Sequence, residues 1–168
     1  MKNTWKKSLL LCVSAGLFAG TICKFFIIDI LHISGSSMEP SLADGDAVVV
    51  CKLSYGLVKP FSDSLFFSWA EPQENDVVIY LHDNRLVIKR CVAVGNTPLD
   101  YSCDKGYTLI VNGHTYPLSE EQFSSFNYIA TVPDGTILAI GDNQASSIDS
   151  RAYGFIPVYN ILGKALCK

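Results

Sequence analysis

One serine and one lysine are the strongest candidates for chemistry in this sequence. Ser37 lies in the run ISGSSMEPSL (33–42), just past a long apolar segment. A serine needs an adjacent base before it can attack a carbonyl carbon; histidine is the usual base, and Ser–Lys pairs are the documented variant. The chain has 3 histidines, scattered, and none has surroundings typical of a base. The run could also be a flexible loop where the chain leaves a membrane, so the base decides between the two interpretations.

Lys89 meets the requirement for such a base. It lies in RLVIKRCVAVG (85–95), a run whose β-branched residues predict a strand. A lysine acts as a base near neutral pH only when it is uncharged, and burial in an apolar site lowers its pKa in that direction. Alternation along a strand places Val87, Lys89 and Cys91 on one face. A single lysine on such a strand is more often a solvated surface residue, so the case for Lys89 depends on the remaining motifs.

The third candidate segment is GDNQASSIDSRAYGFIP (141–157), which follows a predicted strand. It is rich in glycine and polar residues and by itself predicts a structured turn. Asp149 and Arg151 have opposite charges and could pair, while Asp142 and Asn143 could accept hydrogen bonds from backbone amides. The segment therefore looks built to hold a loop in place.

The region after residue 32 must bring these three segments together, and it predicts a mostly β domain. Its strand signals are runs rich in β-branched and aromatic residues, at 46–55, 76–82, 85–95, 107–118 and 136–143. Asn112-Gly113, between two such runs, is the strongest short hairpin signal in the chain. No long amphipathic helix is predicted after residue 32.

The N-terminus predicts a membrane anchor. Ser8 to Cys23 carries no charge, and the apolar character continues past Lys24. We expect a basic cytoplasmic N-terminus (1–7), a transmembrane anchor (8–31) and an extracytoplasmic β-rich catalytic domain (32–168), because three lysines precede the apolar segment. The alternative is a cleaved signal peptide, whose apolar core is usually about 7–15 residues long.

Charge and ligand spacing exclude several classes of partner. The net charge is −3, and no basic stripe or aromatic–basic interleaving is present, so no nucleic acid is expected. His32, His82 and His114 are far apart, and the cysteine spacings match no zinc motif. We therefore expect no metal site and no cofactor.

Four of the 6 cysteines lie after residue 32, and their pairing is left open by the sequence. An oxidising compartment would allow three pairings among Cys51, Cys91, Cys103 and Cys167. Cys91–Cys103 is the favoured bridge, because it would close a short loop between two predicted strands. Free thiols are the alternative.

Residues 58–72 (VKPFSDSLFFSWAEP) are dense in aromatic side chains. One interpretation is the packing of a loop onto the core. The other is an exposed lip that dips into the bilayer surface, where aromatic side chains prefer the interface.

Taken in order, the motifs resemble the type I signal peptidases, membrane-bound serine peptidases with a Ser/Lys dyad. The matching elements are Ser-Met-x-Pro at 37–40, Lys-Arg at 89–90 and Gly-Asp-Asn…Ser-x-Asp-Ser-Arg…Gly at 141–154. The likeness runs from about Ser34 to Gly154, with the anchor in its usual place. It implies a compact antiparallel β domain on a single N-terminal transmembrane helix in the plasma (inner) membrane. It also implies membrane lipid and signal-peptide-bearing precursors as partners.

The resemblance also implies a role for each matching residue. Ser37 would be the nucleophile, with its backbone N–H in the oxyanion hole, and Lys89 would be the general base. Ser147 falls where the family has a serine that orients the lysine amine. The remaining matches are implied to be structural: Met38, Pro40, Asp142, Asp149 and Arg151.

The departures from the family pattern bear on substrate preference more than on chemistry. Gly35 stands where some members have a serine that completes the oxyanion hole, and residues 94–103 lack the usual Pro-Gly-Asp turn. Gln144 and Ala145 replace residues that are often charged or polar. Within the family a dedicated pilin-processing peptidase is an alternative to general signal-peptide cleavage. Outside it, the alternatives are a non-catalytic bitopic assembly protein and a Ser/Lys protease that cleaves its own chain.

Overall fold

The computed structural model describes residues 2–59, 64–104 and 106–167. The chain forms three α-helices, one π-helical turn, one 3-10 turn and twelve strands within that part. The helices are α1 (Lys2–Ile22), α2 (Glu120–Phe126) and α3 (Ser150–Tyr153). The strands are β1 (Ile28–His32), β2 (Ala47–Cys51), β3 (Gly56–Val58), β4 (Leu65–Ser68), β5 (Val77–His82), β6 (Arg85–Val94), β7 (Asp100–Ser102), β8 (Thr108–Val111), β9 (His114–Pro117), β10 (Thr136–Ile140), β11 (Ile156–Pro157) and β12 (Ile161–Cys167).

The predicted antiparallel β domain is confirmed. Seven strands form one sheet in the order β1-β2-β12-β5-β6-β10-β11, and every neighbouring pair is antiparallel. Two smaller sheets, β3-β4 and β7-β8-β9, complete the domain. Asn112 and Gly113 both have positive φ and form the turn between β8 and β9, as the Asn-Gly signal predicts.

The N-terminal helix leads directly into the sheet. α1 ends at Ile22, a π-helical turn follows over Cys23–Ile27, and β1 begins at Ile28. Residues 28–31, which the sequence analysis places in the anchor, therefore pair with β2. Among the helices of the described ranges, none has the length and apolar character of a membrane span.

One part of the core holds the 33–42 segment against the main sheet. Ile33, Met38 and Leu42 are buried together with Val48 of β2 and Ile79 of β5. Met38 is 1% exposed, and burial of a side chain of that size stabilises a fold by roughly 1.5–3 kcal/mol. The turn that carries Ser37 is thus anchored by its next residue.

The predicted Cys91–Cys103 bridge is wrong. Cys91 is fully buried on the core face of β6, where its Sγ lies 3.6 Å from the Ala93 carbonyl oxygen. Cys103 is exposed beyond β7, and both are free thiols, as is Cys51. Strand alternation turns Cys91 inward, away from the loop that carries Cys103. The Cys167 side chain lies outside the described part.

Each interpretation of residues 58–72 holds for part of the segment, because some of its side chains pack onto the core and others are exposed. It forms the β3–β4 hairpin, in which Leu65 is buried in the core. Phe66, Phe67 and Trp69 are exposed, and the Trp69 indole N–H donates to the Leu53 carbonyl oxygen at 3.1 Å. Phe61 lies outside the described residues. Packing onto the core therefore accounts for Leu65 but not for the three exposed aromatic side chains.

Candidate active site

Ser37 lies in the turn between β1 and β2. Gly35 precedes it with a φ of 93°, a conformation that favours glycine, and the Gly35 amide donates to Asp44 Oδ1 at 2.7 Å. The Leu42 amide donates to the Met38 carbonyl oxygen at 2.9 Å and closes the turn. The Ser37 amide itself donates to no other group in the part of the chain that is described, so it is available to a ligand.

The Lys89 amine contacts the Ser37 hydroxyl. Nζ lies 2.8 Å from Ser37 Oγ and 3.0 Å from the Ile88 carbonyl oxygen. Lys89 is only 4% exposed although it is charged in water. Burial lowers its pKa below the usual lysine value, and this effect outweighs the opposite influence of Asp149 and Asp142. In the neutral amine the Nζ lone pair can accept the Ser37 hydroxyl proton, which is the geometry of a nucleophile and its base.

Gly141 lets the loop after β10 lie directly on the serine turn. The Asn143 amide donates to the Ser37 carbonyl oxygen at 3.0 Å. A Cβ on Gly141 would overlap Ser147 Oγ and the Ser37 carbonyl oxygen. A residue with any side chain at position 141 must therefore push the two segments apart.

We expect Gly141→Ala to lower kcat/KM for a peptide substrate about 10²-fold, because a shift of about 1 Å at a reacting group costs that much. Steady-state kinetics measures the loss. Gly16→Ala is the matched control, since no atom lies within 4 Å of its added Cβ. Equal activity of the two variants would contradict the close approach at Gly141.

Arg90 joins β6 to the same loop. Its Nε and Nη2 donate to the two oxygens of Asp142, at 2.8 and 2.6 Å. Its Nη1 donates to the Asn75 carbonyl oxygen at 3.0 Å. Burial raises the pKa of Asp142, but hydrogen bonds from Arg90 and Ser41 more than offset it and hold that pKa below the usual value. Asp142 thus remains a carboxylate that fixes the loop.

A buried ion pair supports the loop from behind. Asp149 is fully buried and accepts from Arg151 Nε and Nη2, both at 2.9 Å, and from the Gly141 amide at 3.0 Å. Arg151 also donates to the carbonyl oxygens of Pro117 at 3.1 Å and Gln144 at 3.0 Å. The pairing that the sequence suggests is therefore present, and it ties α3 to the loop.

Ser147 is close to the site without the hydrogen bond that the resemblance implies. Its Oγ is buried and has no hydrogen-bond partner in the described ranges, so it does not contact the Lys89 amine. It is near enough to Asp149 to contribute to the lowered pKa of that carboxyl. The Ser147 hydroxyl is thus buried beside the Gly141 loop and has no hydrogen-bond partner among the described residues.

A cleft of about 450 Å³ opens beside Ser37 and Lys89. Most of its lining is apolar, from β1 and its continuation, from β5, from β6 and from the loop after β10. These side chains are Leu31, Ile33, Ile79, Leu86, Val87, Ile88 and Ile148. Among the described residues, no three His, Cys, Asp or Glu side chains are grouped as metal ligands.

Sequence reasoning gave no role to the Arg90 side chain or to Gly141. Arg90 could have been found from its alternation with Lys89, which turns it to the opposite face toward an acid in the third motif. No sequence signal gives the close approach at Gly141, because it depends on where two distant segments meet.

Comparison with known proteins places these motifs in context. The family model described as "Signal peptidase, peptidase S26" matches residues 5–168. A probable signal peptidase I-1 of Synechocystis is 30% identical over 169 residues, covering 89% of this chain and 75% of the relative. The signal peptidase I of Bacillus caldolyticus is 29% identical over 165 residues, covering 95% and 86%. The crystal structure of a signal peptidase I from Enterococcus faecalis is 26% identical and covers 58% of this chain and 98% of that one, with a TM-score of 0.41.

Proposed function

The chain belongs to the signal peptidase family, peptidase S26, and is a serine endopeptidase that cleaves signal peptides from precursor proteins; from that premise we propose that Ser37 and Lys89 are its catalytic dyad. The observation that carries this proposal is the 2.8 Å contact between Ser37 Oγ and Lys89 Nζ in a site where the lysine is 4% exposed. No other lysine in the described ranges is buried.

The reaction follows from that contact. Lys89 Nζ accepts the Ser37 proton as Oγ attacks the scissile carbonyl carbon, and the unpaired Ser37 amide donates to the oxyanion. The protonated amine then gives its proton to the leaving amine of the mature protein. Water, deprotonated by Lys89, hydrolyses the acyl-enzyme and releases the signal peptide. Met38, Pro40, Asp142, Asp149 and Arg151 hold the two reacting segments in place, and the Ser147 hydroxyl would orient the amine only after turning toward it.

The sheet offers an edge for an extended substrate. β10 pairs with β6 only from Arg90 to Val94, so the edge of residues 85–89 that faces the cleft carries no partner strand. A peptide can add there as a further strand, with its side chains in the apolar cleft. The segment on the acyl side of the scissile bond fits this lining, because signal segments are apolar.

We place the part of α1 from residue 8 onward in the plasma (inner) membrane, with residues 1–7 cytoplasmic and the β domain extracytoplasmic. The exposed leucine and phenylalanine side chains of α1, among them Leu10, Leu17 and Phe18, support this arrangement. The exposed aromatic side chains of the β3–β4 hairpin suit contact with the same bilayer surface. Membrane attachment raises the concentration of the enzyme near tethered precursors.

The test is cleavage of a signal-peptide precursor in detergent from about pH 5 to about pH 10. Activity requires the neutral amine, so kcat/KM should rise with pH through a pKa below that of free lysine, because burial lowers the pKa of Lys89. Ser37→Ala should give no cleavage at any pH. Undiminished cleavage by that variant, or a limb at the pKa of free lysine, would overturn the dyad.

A further inference from the structure

The cleft beside Ser37 carries positive charge and no negative charge. Its lining includes the permanently charged Arg85 and no Asp or Glu, while the other amine in the lining, Lys89, is the one whose pKa burial lowers. Two acids, Asp142 and Asp149, raise the pKa of Lys89 through their charge. Each forms an ion pair with an arginine that does not line the cleft. A charged substrate side chain in the cleft would therefore meet Arg85 without competition from a nearby acid.

Arg85 is exposed and unpaired in the described part of the chain. It begins β6, directly after the Asp83-Asn84 turn. The acid nearest to Arg85 along the chain is Asp83, two residues before it. The Asp83 Oδ2 atom lies 3.6 Å from His82 Nε2. No ion pair or side-chain hydrogen bond within the described ranges involves Arg85. Within the described ranges, the Arg85 guanidinium therefore stabilises no other part of the fold through an ion pair or a hydrogen bond.

Strand geometry relates Arg85 to a position in the substrate. Arg85 is four residues from Lys89 on β6, a separation of about 13 Å at a rise of roughly 3.3 Å per residue. An extended peptide that pairs with the free edge of residues 85–89 has the same rise per residue. The edge beyond Lys89 is occupied by β10, so the peptide pairs with residues 85–89 only. We assign the part near Arg85 to the acyl side, because the apolar cleft lining suits the apolar signal segment. This step rests on the proposed function.

We propose that Arg85 is a specificity-determining residue that selects precursors by charge at the fourth or fifth residue before the scissile bond. It favours an acidic side chain there, tolerates an uncharged one and disfavours a basic one. Pairs between exposed charges are weak, so attraction and repulsion should each change kcat/KM a few-fold. The preference between an acid and a base should be about tenfold in total.

The experiment uses the full chain in detergent and two sets of peptides. Within each set the peptides differ only by Glu, Gln or Lys at the fourth or fifth residue before the bond. We expect the wild-type protein to cleave Glu peptides best and Lys peptides worst in at least one set, with the difference mainly in KM. Arg85→Glu should reverse the order. Lys59→Glu changes the net charge equally on an exposed residue outside the cleft and should keep the wild-type order.

Salt dependence separates charge selection from a structural role. The preference should shrink between about 50 mM and about 500 mM salt, because exposed charges are screened. Wild-type protein that cleaves all three peptides of every set equally would overturn the proposal. So would an Arg85→Glu variant that loses activity equally on all peptides, the result expected if Arg85 supports the fold or binds lipid. Cleavage of the Gln peptide by wild type but not by Ser37→Ala would leave the dyad standing in either case.

Discussion

Replacing Lys89 by methionine is expected to lower kcat at least about 10³-fold while the domain remains folded. The amine is the only group within hydrogen-bonding distance of Ser37 Oγ in the described residues, and a positioned base contributes about 10²–10⁴-fold to rate. Methionine nearly preserves the volume of the buried side chain and adds no charge. Single-turnover cleavage of a precursor peptide measures the loss directly at the chemical step.

The pH dependence of the free energy of unfolding, compared between wild type and Lys89→Met, tests whether burial lowers the pKa of Lys89. Because burial lowers the pKa of Lys89, the unfolded chain binds more protons than the folded chain between that lowered pKa and the usual lysine pKa. The free energy of unfolding of the wild-type protein should therefore rise with pH across this window. Lys89→Met should remove that rise and be no less stable near neutral pH.

Lys59→Met is the matched control for Lys89→Met. It removes the same group from an exposed position outside the cleft and should leave kcat unchanged. If Lys89→Met were as active as Lys59→Met, Lys89 would not be the catalytic base, even though its Nζ lies within hydrogen-bonding distance of Ser37 Oγ.

Local patterns were sufficient for the strands and for the face on which Lys89 lies. The period of two along residues 85–95 placed Lys89 with Val87 and Cys91, and in the structure Cys91 is in the core and Val87 packs against it. The Asn112-Gly113 signal located its turn because positive φ is a property of those two residue types. Both predictions rest on sterics within a few residues.

The features that were missed depend on contacts between distant segments. Residues 28–31 continue an apolar run, and only pairing with β2 makes them a strand. The proposed bridge from Cys91 failed because loop length says nothing about which way a buried thiol faces. The short helix α2 is a different case: Ser119 and Gln122 form a capping box, a signal that was present in the sequence.

Arg151→Met is expected to cost about 3–5 kcal/mol of the free energy of unfolding, because it leaves the Asp149 carboxylate buried without its partner. Burial raises the pKa of Asp149, but hydrogen bonds from Arg151 and the Gly141 amide outweigh it and hold the pKa below the usual value. The contribution is therefore complete above the usual aspartate pKa and is lost as pH falls through the lowered one. Denaturant unfolding in detergent at neutral and acidic pH measures both effects.

The matched control for Arg151→Met breaks an ion pair that is open to water. Lys52 Nζ lies 2.7 Å from Asp29 Oδ2 with about a quarter of each side chain exposed, so Lys52→Met should cost at most about 1 kcal/mol. Asp149→Asn combined with Arg151→Met should cost less than the sum of the single changes, because the second change removes the stranded charge. If Arg151→Met were no more destabilising than Lys52→Met, the buried pair would not be what holds the loop against the serine turn. Loss of activity in that variant would then need another cause.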